Sequence, residues 1–489
     1  MADRPNVLLL MTDQHRADCL GCYGNTRIHT PNIDRIAREG IRANRAYVTN
    51  PLCTPSRASI LTGQSVSGHE AWNLGVPLPE ETITLPKVLA EHGYRTGAIG
   101  KVHLTPQVAG CPEFPENVDF WSKEPDWNGP YFGFETVDLF VGHAKLIGHY
   151  GQYIKREHPE LARRYDRSFA LEDPTGAPHS WKCGFPVEHH SCSWIGERML
   201  AFLKANDERP FFAQCSFPYP HFPFSPPAPY CYQYGPLDMT LPNQKEGDRE
   251  NKPPHVNRYY QSAGGEIPLC DVTGAQKREV IAHTYGMISF VDDQVGKILD
   301  TLDELDLARN TIVIFCSDHG ELLFDHGLLK KGPYPYEGLY RVPLLWRWPA
   351  GLPKDKTTDA LFSLMDLAPT IAELAGIPVW KGVEGVDQST VLKGNTVSVR
   401  NSVLIEYFHG RQRPCDGLRS KTLVTDRWKL THYIDEPFGE LYDLDNDPDE
   451  FVNLYNQTEF SSIRSNLVEQ LMDLIAGSEE RFGPRRAPA

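Results

Sequence analysis

The sequence predicts an α/β protein, with a large and mostly parallel sheet covered by helices on both faces. Three observations lead there. Apolar, β-branched runs alternate with helical patterns along most of the chain. After about residue 385 the texture changes to short strand-like pieces separated by turn residues. Polar, reactive residues lie just beyond the C-terminal ends of several predicted strands, the place where open α/β sheets bind ligands.

Val7–Met11 is the first strand, an apolar run that Thr12 and Asp13 stop at once. Further strands are predicted at Thr96–Ile99, Phe211–Phe217, Thr311–Cys316 and Pro343–Trp346. Between them lie the amphipathic stretches Ile33–Glu39, Leu85–Glu91 and Ser193–Lys204. The clearest helix is Tyr285–Leu305, where Tyr285, Ile288, Val291, Val295, Ile298, Leu299, Leu302 and Leu305 share one face. Residues 105–190, rich in aromatics, Pro and His, read as a long insertion or lid within a main domain of residues 1–385. Residues 386–489 then form a small C-terminal subdomain. Ser402–Tyr407, Lys421–Thr425, Arg427–Tyr433 and Glu440–Leu444 make an antiparallel sheet, followed by a helix at Ser461–Ala476 and a basic, Pro-rich tail.

Composition narrows the partners. Across 489 residues, 49 Lys and Arg face 64 Asp and Glu, a formal charge of −15. Such a surface repels phosphate backbones and argues against nucleic acid. No stretch approaches the roughly 20 apolar residues of a membrane helix, so no membrane is expected. The N-terminal apolar run is too short for a secretory segment, and a cytoplasmic location is expected. Eleven cysteines, an odd number spread over a long chain, argue against a disulfide framework. Cys19-Leu20-Gly21-Cys22 has a metal-like spacing but no second such pair to complete a zinc site.

The chemistry gathers at strand ends. Asp13 follows the first strand, Lys101 and His103 follow Thr96–Ile99, His221 follows Phe211–Phe217, and Asp318 and His319 follow Thr311–Cys316. Two carboxylates, three histidines and a lysine are thereby aimed at one sheet edge. Asp13, Asp318 and His319 offer oxygen and nitrogen ligands suited to a divalent cation; Asp318-His319-Gly320 read alone is equally a polar turn.

The segment Asn50–Gly63 is the most informative. Pro55 suits the first turn of a helix and Gly63 its stop. Cys53 then sits at a helix N-terminus, where free N–H groups favour an anion. Arg57 lies one turn later on the same face, and its fork suits a tetrahedral oxyanion such as sulfate or phosphate.

Cys53-Thr54-Pro55-Ser56-Arg57, followed by Leu61-Thr62-Gly63, resembles the signature of the sulfatase family. The resemblance extends through Asn6–Asp13, Thr30–Asp34, Gly100–His103, Pro220-His221, Ser317–Glu321, His326–Leu328, Lys331-Gly332, Arg341–Pro343, Leu441–Leu444, Asp447-Pro448 and Asn453-Leu454. It implies an alkaline-phosphatase-like three-layer sandwich and hydrolysis of an organic sulfate monoester. It also implies that Cys53 is converted by a formylglycine-generating enzyme to formylglycine, whose hydrated aldehyde is both nucleophile and metal ligand. Asp13, Gln14, Asp318 and His319 would hold one divalent cation, Arg57 would steady the formylglycine, and Lys101 and Lys331 would contact the sulfate oxygens. One diol hydroxyl would attack sulfur, His221, helped by Lys331, would protonate the leaving oxygen, and His103 would take the proton that releases sulfate.

Two departures are visible. Many sulfatases have a second Asp where this chain has Gln14, and Asn where it has His319. Both variants look like the branch containing phosphonate monoester hydrolases, and they leave calcium and manganese as the candidate metals. In that light Asn73 is either a substrate contact or a turn residue before Gly75. Lys101 and His103 keep the sulfatase pattern, whereas the hydrolase branch has Tyr and Thr there. The alternatives are a phosphonate monoester or phosphodiester hydrolase using the same site, and a non-catalytic metal- or oxyanion-binding relative. The branch also implies a homo-oligomer.

Overall fold

In the computed structural model, which describes residues 4–143, 146–205, 207–262, 266–408 and 417–479, the first strand already shows how the molecule is layered. Along β1 (Asn6–Asp13), Val7, Leu9 and Met11 join one apolar cluster while Leu8 and Leu10 join another. Successive side chains of a strand point to opposite faces, so β1 is buried on both. It shares a single eight-stranded sheet with β2 (Ile41–Tyr47), β3 (Arg95–Gly100), β4 (Thr136–Val141), β5 (Phe211–Pro220), β6 (Thr311–Ser317), β7 (Arg341–Arg347) and β8 (Lys356–Ser363). The order is β4-β3-β5-β1-β6-β7-β2-β8, and β7 alone runs against its neighbours.

Helices Pro31–Arg38, Ser191–Lys204 and Gly274–Glu304 pack on one face, contributing Ile33, Ile36, Ile195, Met199, Val291 and Leu299. Helices Cys53–Thr62, Leu85–Glu91 and Leu367–Leu374 cover the other with Ile60, Leu61, Leu85, Leu89 and Ile371. This is the three-layer arrangement expected. The long helix starts well before Tyr285, because Thr273 and Gln276 form a reciprocal capping box at its N-terminus. β2, β4 and β8 were absent from the expected strands. The 105–190 segment, expected as an insertion or lid, is corrected in one respect: it supplies β4, whose residues 136–139 pair in parallel with β3. That part belongs to the sheet.

The C-terminal strands β9 (Val403–Phe408), β10 (Arg419–Val424), β11 (Trp428–Tyr433) and β12 (Gly439–Asp443) form an antiparallel sheet in the order β12-β11-β10-β9. Leu404, Leu423, Leu430 and Leu441 pack against Leu467 and Leu471 of the helix Ser461–Glu479. The opposite face sends Val403, Ile405, Val424, Tyr433 and Tyr442 into the main core. The Pro-rich tail after that helix lies outside the described residues. The ten described cysteines are all free. No described helix is long and apolar enough to cross a membrane.

A buried cation joins the two parts. Lys429 on β11 is fully buried, with Nζ 2.8 Å from Glu337 Oε1 and 2.5 Å from Glu450 Oε1. Burial opposes its charge, but the two carboxylates outweigh it and hold the ammonium above its usual range. Removing one partner of such a set strands the remaining buried charge. Lys429→Met is therefore expected to cost about 3–5 kcal/mol, read as a lower urea midpoint; an unchanged midpoint would show that the carboxylates carry no charge there.

Candidate active site

Five neighbouring parallel strands, β4-β3-β5-β1-β6, end along one edge, and each delivers a chemically active side chain within two residues of its end. β1 ends in Asp13, β6 is followed by Asp318 and His319, β3 by Lys101, β5 by His221, and β4 by His143. The helix Cys53–Thr62 docks over this edge, buried at every position, and Gly63 stops it in the left-handed region at φ 70°.

Cys53 Sγ is the centre of the cluster. Lys331 Nζ lies 3.0 Å from it, His319 Nε2 3.2 Å, Asp13 Oδ1 3.6 Å and Lys101 Nζ 3.6 Å. Lys101 Nζ also donates to Asp13 Oδ2 and, at 3.0 Å, contacts His143 Nε2. The structure thus brings Asp13, Cys53, Lys101, Asp318, His319 and Lys331 together. Burial and Asp13 push the Cys53 thiol up, but Lys101, Lys331 and His319 outweigh them and hold it well below its ordinary value. Burial likewise opposes the Asp13 carboxylate, and Lys101, His221, His143 and Lys331 keep it well below the usual range. Burial lowers His221, and the adjacent His143 and Lys331 lower it further. His143 is lowered by burial and by Lys101.

Arg57 does not face solvent. Its Nε donates to Asp318 Oδ2 at 2.7 Å, and its Nη1 donates to the Lys101 carbonyl at 2.7 Å and Ser216 Oγ at 2.9 Å. The other Asp318 oxygen accepts the backbone N–H groups of Gln14 and His319, at 3.1 and 2.9 Å. The His319 ring is oriented by its own turn: Nδ1 donates to the Gly320 carbonyl at 2.9 Å. In the neutral ring that leaves the Nε2 lone pair turned toward Cys53 and Asp13.

A divalent cation fits this arrangement. Ligand atoms of Asp13, Cys53, Asp318 and His319 lie within 4.8 Å of one another. Gln14, expected as a further ligand, donates its amide to Glu321, and its Oε1 is buried with no partner among the described residues. A buried acceptor left open in this way needs an explanation, and a bound cation supplies one. Gln14 also adopts φ 63°, a strained region for a residue with a side chain.

His103 is held differently. It too is left-handed, at φ 59°, and its N–H donates to Glu116 Oε2 at 2.5 Å. The other Glu116 oxygen accepts the N–H of Leu104 at 2.7 Å and the Tyr131 hydroxyl at 2.8 Å. Glu116 carries no spacing signature and was missed by sequence reasoning. Asn73 acts within its own turn: its Oδ1 accepts the Leu74 N–H at 2.7 Å, and its carbonyl the Val76 N–H at 3.1 Å. His143 was also missed, although Val137–Val141 followed by Gly142-His143 repeats the strand-then-histidine pattern seen elsewhere.

Because Glu116 collects the backbone donors of the His103 loop, Glu116→Gln is expected to expose them. Amide exchange at 103–105 should quicken by about 10-fold or more, with the rest of the sheet unchanged; equal protection in both proteins would remove Glu116 from this role.

The comparisons agree with this geometry. The family model for sulfatases matches residues 5–377, and that for the C-terminal region of N-sulphoglucosamine sulphohydrolase matches residues 324–477. The chain is 32% identical to an arylsulfatase of Clostridium perfringens, over 98% of this chain and 96% of that protein. It is 30% identical to an uncharacterized sulfatase of Escherichia coli K12, over 98% and 88%. The crystal structure of the phosphonate monoester hydrolase of Agrobacterium radiobacter superposes with a TM-score of 0.82, at 26% identity and covering 97% and 96% of the two chains. With the family model spanning most of the chain and full-length relatives at this identity, the chain belongs to the sulfatase family, enzymes that hydrolyse sulfate esters.

Proposed function

We propose that the chain hydrolyses an organic sulfate monoester at Cys53, after conversion of that residue to formylglycine and with one divalent cation, calcium or manganese. The observation that carries this reading is the convergence of Lys331, Lys101, His319 and Asp13 on Cys53 Sγ. Formylglycine would supply a hydrated aldehyde as nucleophile, and the cation a Lewis acid. Asp13, Gln14, Asp318 and His319 are the residues that would hold the cation. The side chains around them do the rest. Lys101 and Lys331 face the transferring group and neutralise its oxygens. Arg57, fixed by Asp318, holds the start of the helix in place. His221 keeps its Nδ1–H on the Phe222 carbonyl at 2.6 Å, which leaves Nε2 as the nitrogen that takes up a proton, making the imidazolium, and passes it to the leaving oxygen. His103 is the base that accepts a proton when sulfate departs.

A second reading, a phosphonate monoester or phosphodiester hydrolase using the same site, draws support from the likeness to the Agrobacterium enzyme and from Gln14 and His319. Lys101 and His103 favour the sulfate ester. Relative turnover of an aryl sulfate and an aryl phosphonate monoester tests the choice. The sulfate is expected to react faster, and the reverse order would overturn the first reading. Cys53→Ala should lower turnover by about 10³-fold or more, and the mass of the peptide containing Cys53 should be that of the aldehyde. Removing the cation by chelation should abolish turnover and lower the thermal midpoint. Calcium or manganese at about 100 times its Kd should return about 2.7 kcal/mol of stability.

A further inference from the structure

We propose that His143 is a positioning residue of this site, which holds the Lys101 ammonium through Nε2 and backs the His221 ring by stacking. The inference rests on the reading of His221 and Lys101 given above and adds a residue that none of the sequence motifs contains. It stands on two contacts made by one side chain.

The first contact is polar. His143 Nε2 lies 3.0 Å from Lys101 Nζ and 3.5 Å from Asp13 Oδ2. An ammonium has three protons to donate and accepts none, so the imidazole nitrogen is the acceptor. Lys101 donates to Asp13 as well and lies 3.6 Å from Cys53 Sγ. His143 therefore takes one of the directions in which this flexible, four-carbon side chain could otherwise swing.

The second contact is aromatic. The rings of His143 and His221 lie 3.5 Å apart between centroids with their planes 6° apart. His221 also stacks on Phe222, at 4.3 Å and 24°, and Lys330 Nζ sits 4.5 Å from the centre of the Phe222 ring. The column Lys101–His143–His221–Phe222–Lys330 crosses the site from the β3 end to the loop that carries Lys331. Stacking fixes the plane of the His221 ring, and its hydrogen bond to the Phe222 carbonyl fixes rotation within that plane. The direction of Nε2 is then set. A misplacement of about 1 Å in such a group can cost about 100-fold in rate.

The two contacts separate by substitution. His143→Phe keeps the stacking ring and loses the acceptor; His143→Gln keeps an acceptor and loses the stack. The matured, metal-loaded enzyme is assayed on aryl sulfates whose phenols span a range of acidity, with His221→Ala alongside. His143→Phe should raise KM about 10-fold, since Lys101 is less well held, with little change in sensitivity to the leaving group. His143→Gln should lower kcat by about 10- to 100-fold, most on the poorest leaving groups, where the proton from His221 matters most. A merely structural role would scale every substrate equally or lower only the thermal midpoint, and either result would overturn the inference. If His221→Ala shows the steep leaving-group dependence and His143→Gln does not, the role of His143 alone falls. If His221→Ala shows none, the reading of His221 falls, and this inference with it.

Discussion

Arg57 sits where four elements meet, and the site depends on the balance of its charge. Its guanidinium ties the helix that begins at Cys53 to the end of β6 through Asp318, to β3 through the Lys101 carbonyl, and to β5 through Ser216. Burial opposes the charge, and Asp318 and Asp13 outweigh it. A guanidinium with no exit to water fixes its partners as firmly as they fix it, because losing any one strands a buried ion. Asp318 cannot move without releasing Arg57, and the first turn of the helix cannot shift without breaking both. The placement of Cys53 is in this sense an electrostatic result.

The same balance explains how an acidic chain serves an anion. The formal charge of −15 is spread over the whole sequence. Around Cys53 three fixed cations, Arg57, Lys101 and Lys331, face the two carboxylates Asp13 and Asp318. One positive charge is left over before any metal ion, or the ionisation of Cys53 itself, is counted. Each carboxylate is also spent on a neighbour, so the surplus falls near Lys331 and Cys53. Global charge governs which large partners are repelled, while a few buried groups decide what the site accepts.

The central strands were legible because they are buried on both faces and read as plain apolar runs. β2, which contains Arg42, Asn44 and Arg45, was not, nor was β8, whose first half is Lys356-Thr357-Thr358-Asp359. These outer strands are paired by neighbours whose presence no local pattern records. The site was legible where a strand end and a reactive residue coincide, as at Asp13, Lys101, His221 and Asp318. His143 escaped because β4 itself escaped, hidden among aromatics and prolines. Glu116 escaped for another reason: a carboxylate that works by collecting backbone N–H groups leaves no spacing to find. The helix beginning at Gly274 shows the same limit, since its first turn is set by a cap rather than by periodicity.

The loop leading into Cys53 is latched from far along the chain. Asn50 donates to the Glu406 carbonyl at 2.7 Å, and the Glu406 N–H donates to the Thr49 carbonyl at 2.8 Å. Cys53 is only 1% exposed once this is done. Burial therefore sets an order in time. A macromolecule that was to alter the Cys53 thiol, as the proposed maturation requires, would need the segment undocked, and the latch on β9 is supplied some 350 residues along the chain. The C-terminal sheet thus helps to close the active site as well as to support it.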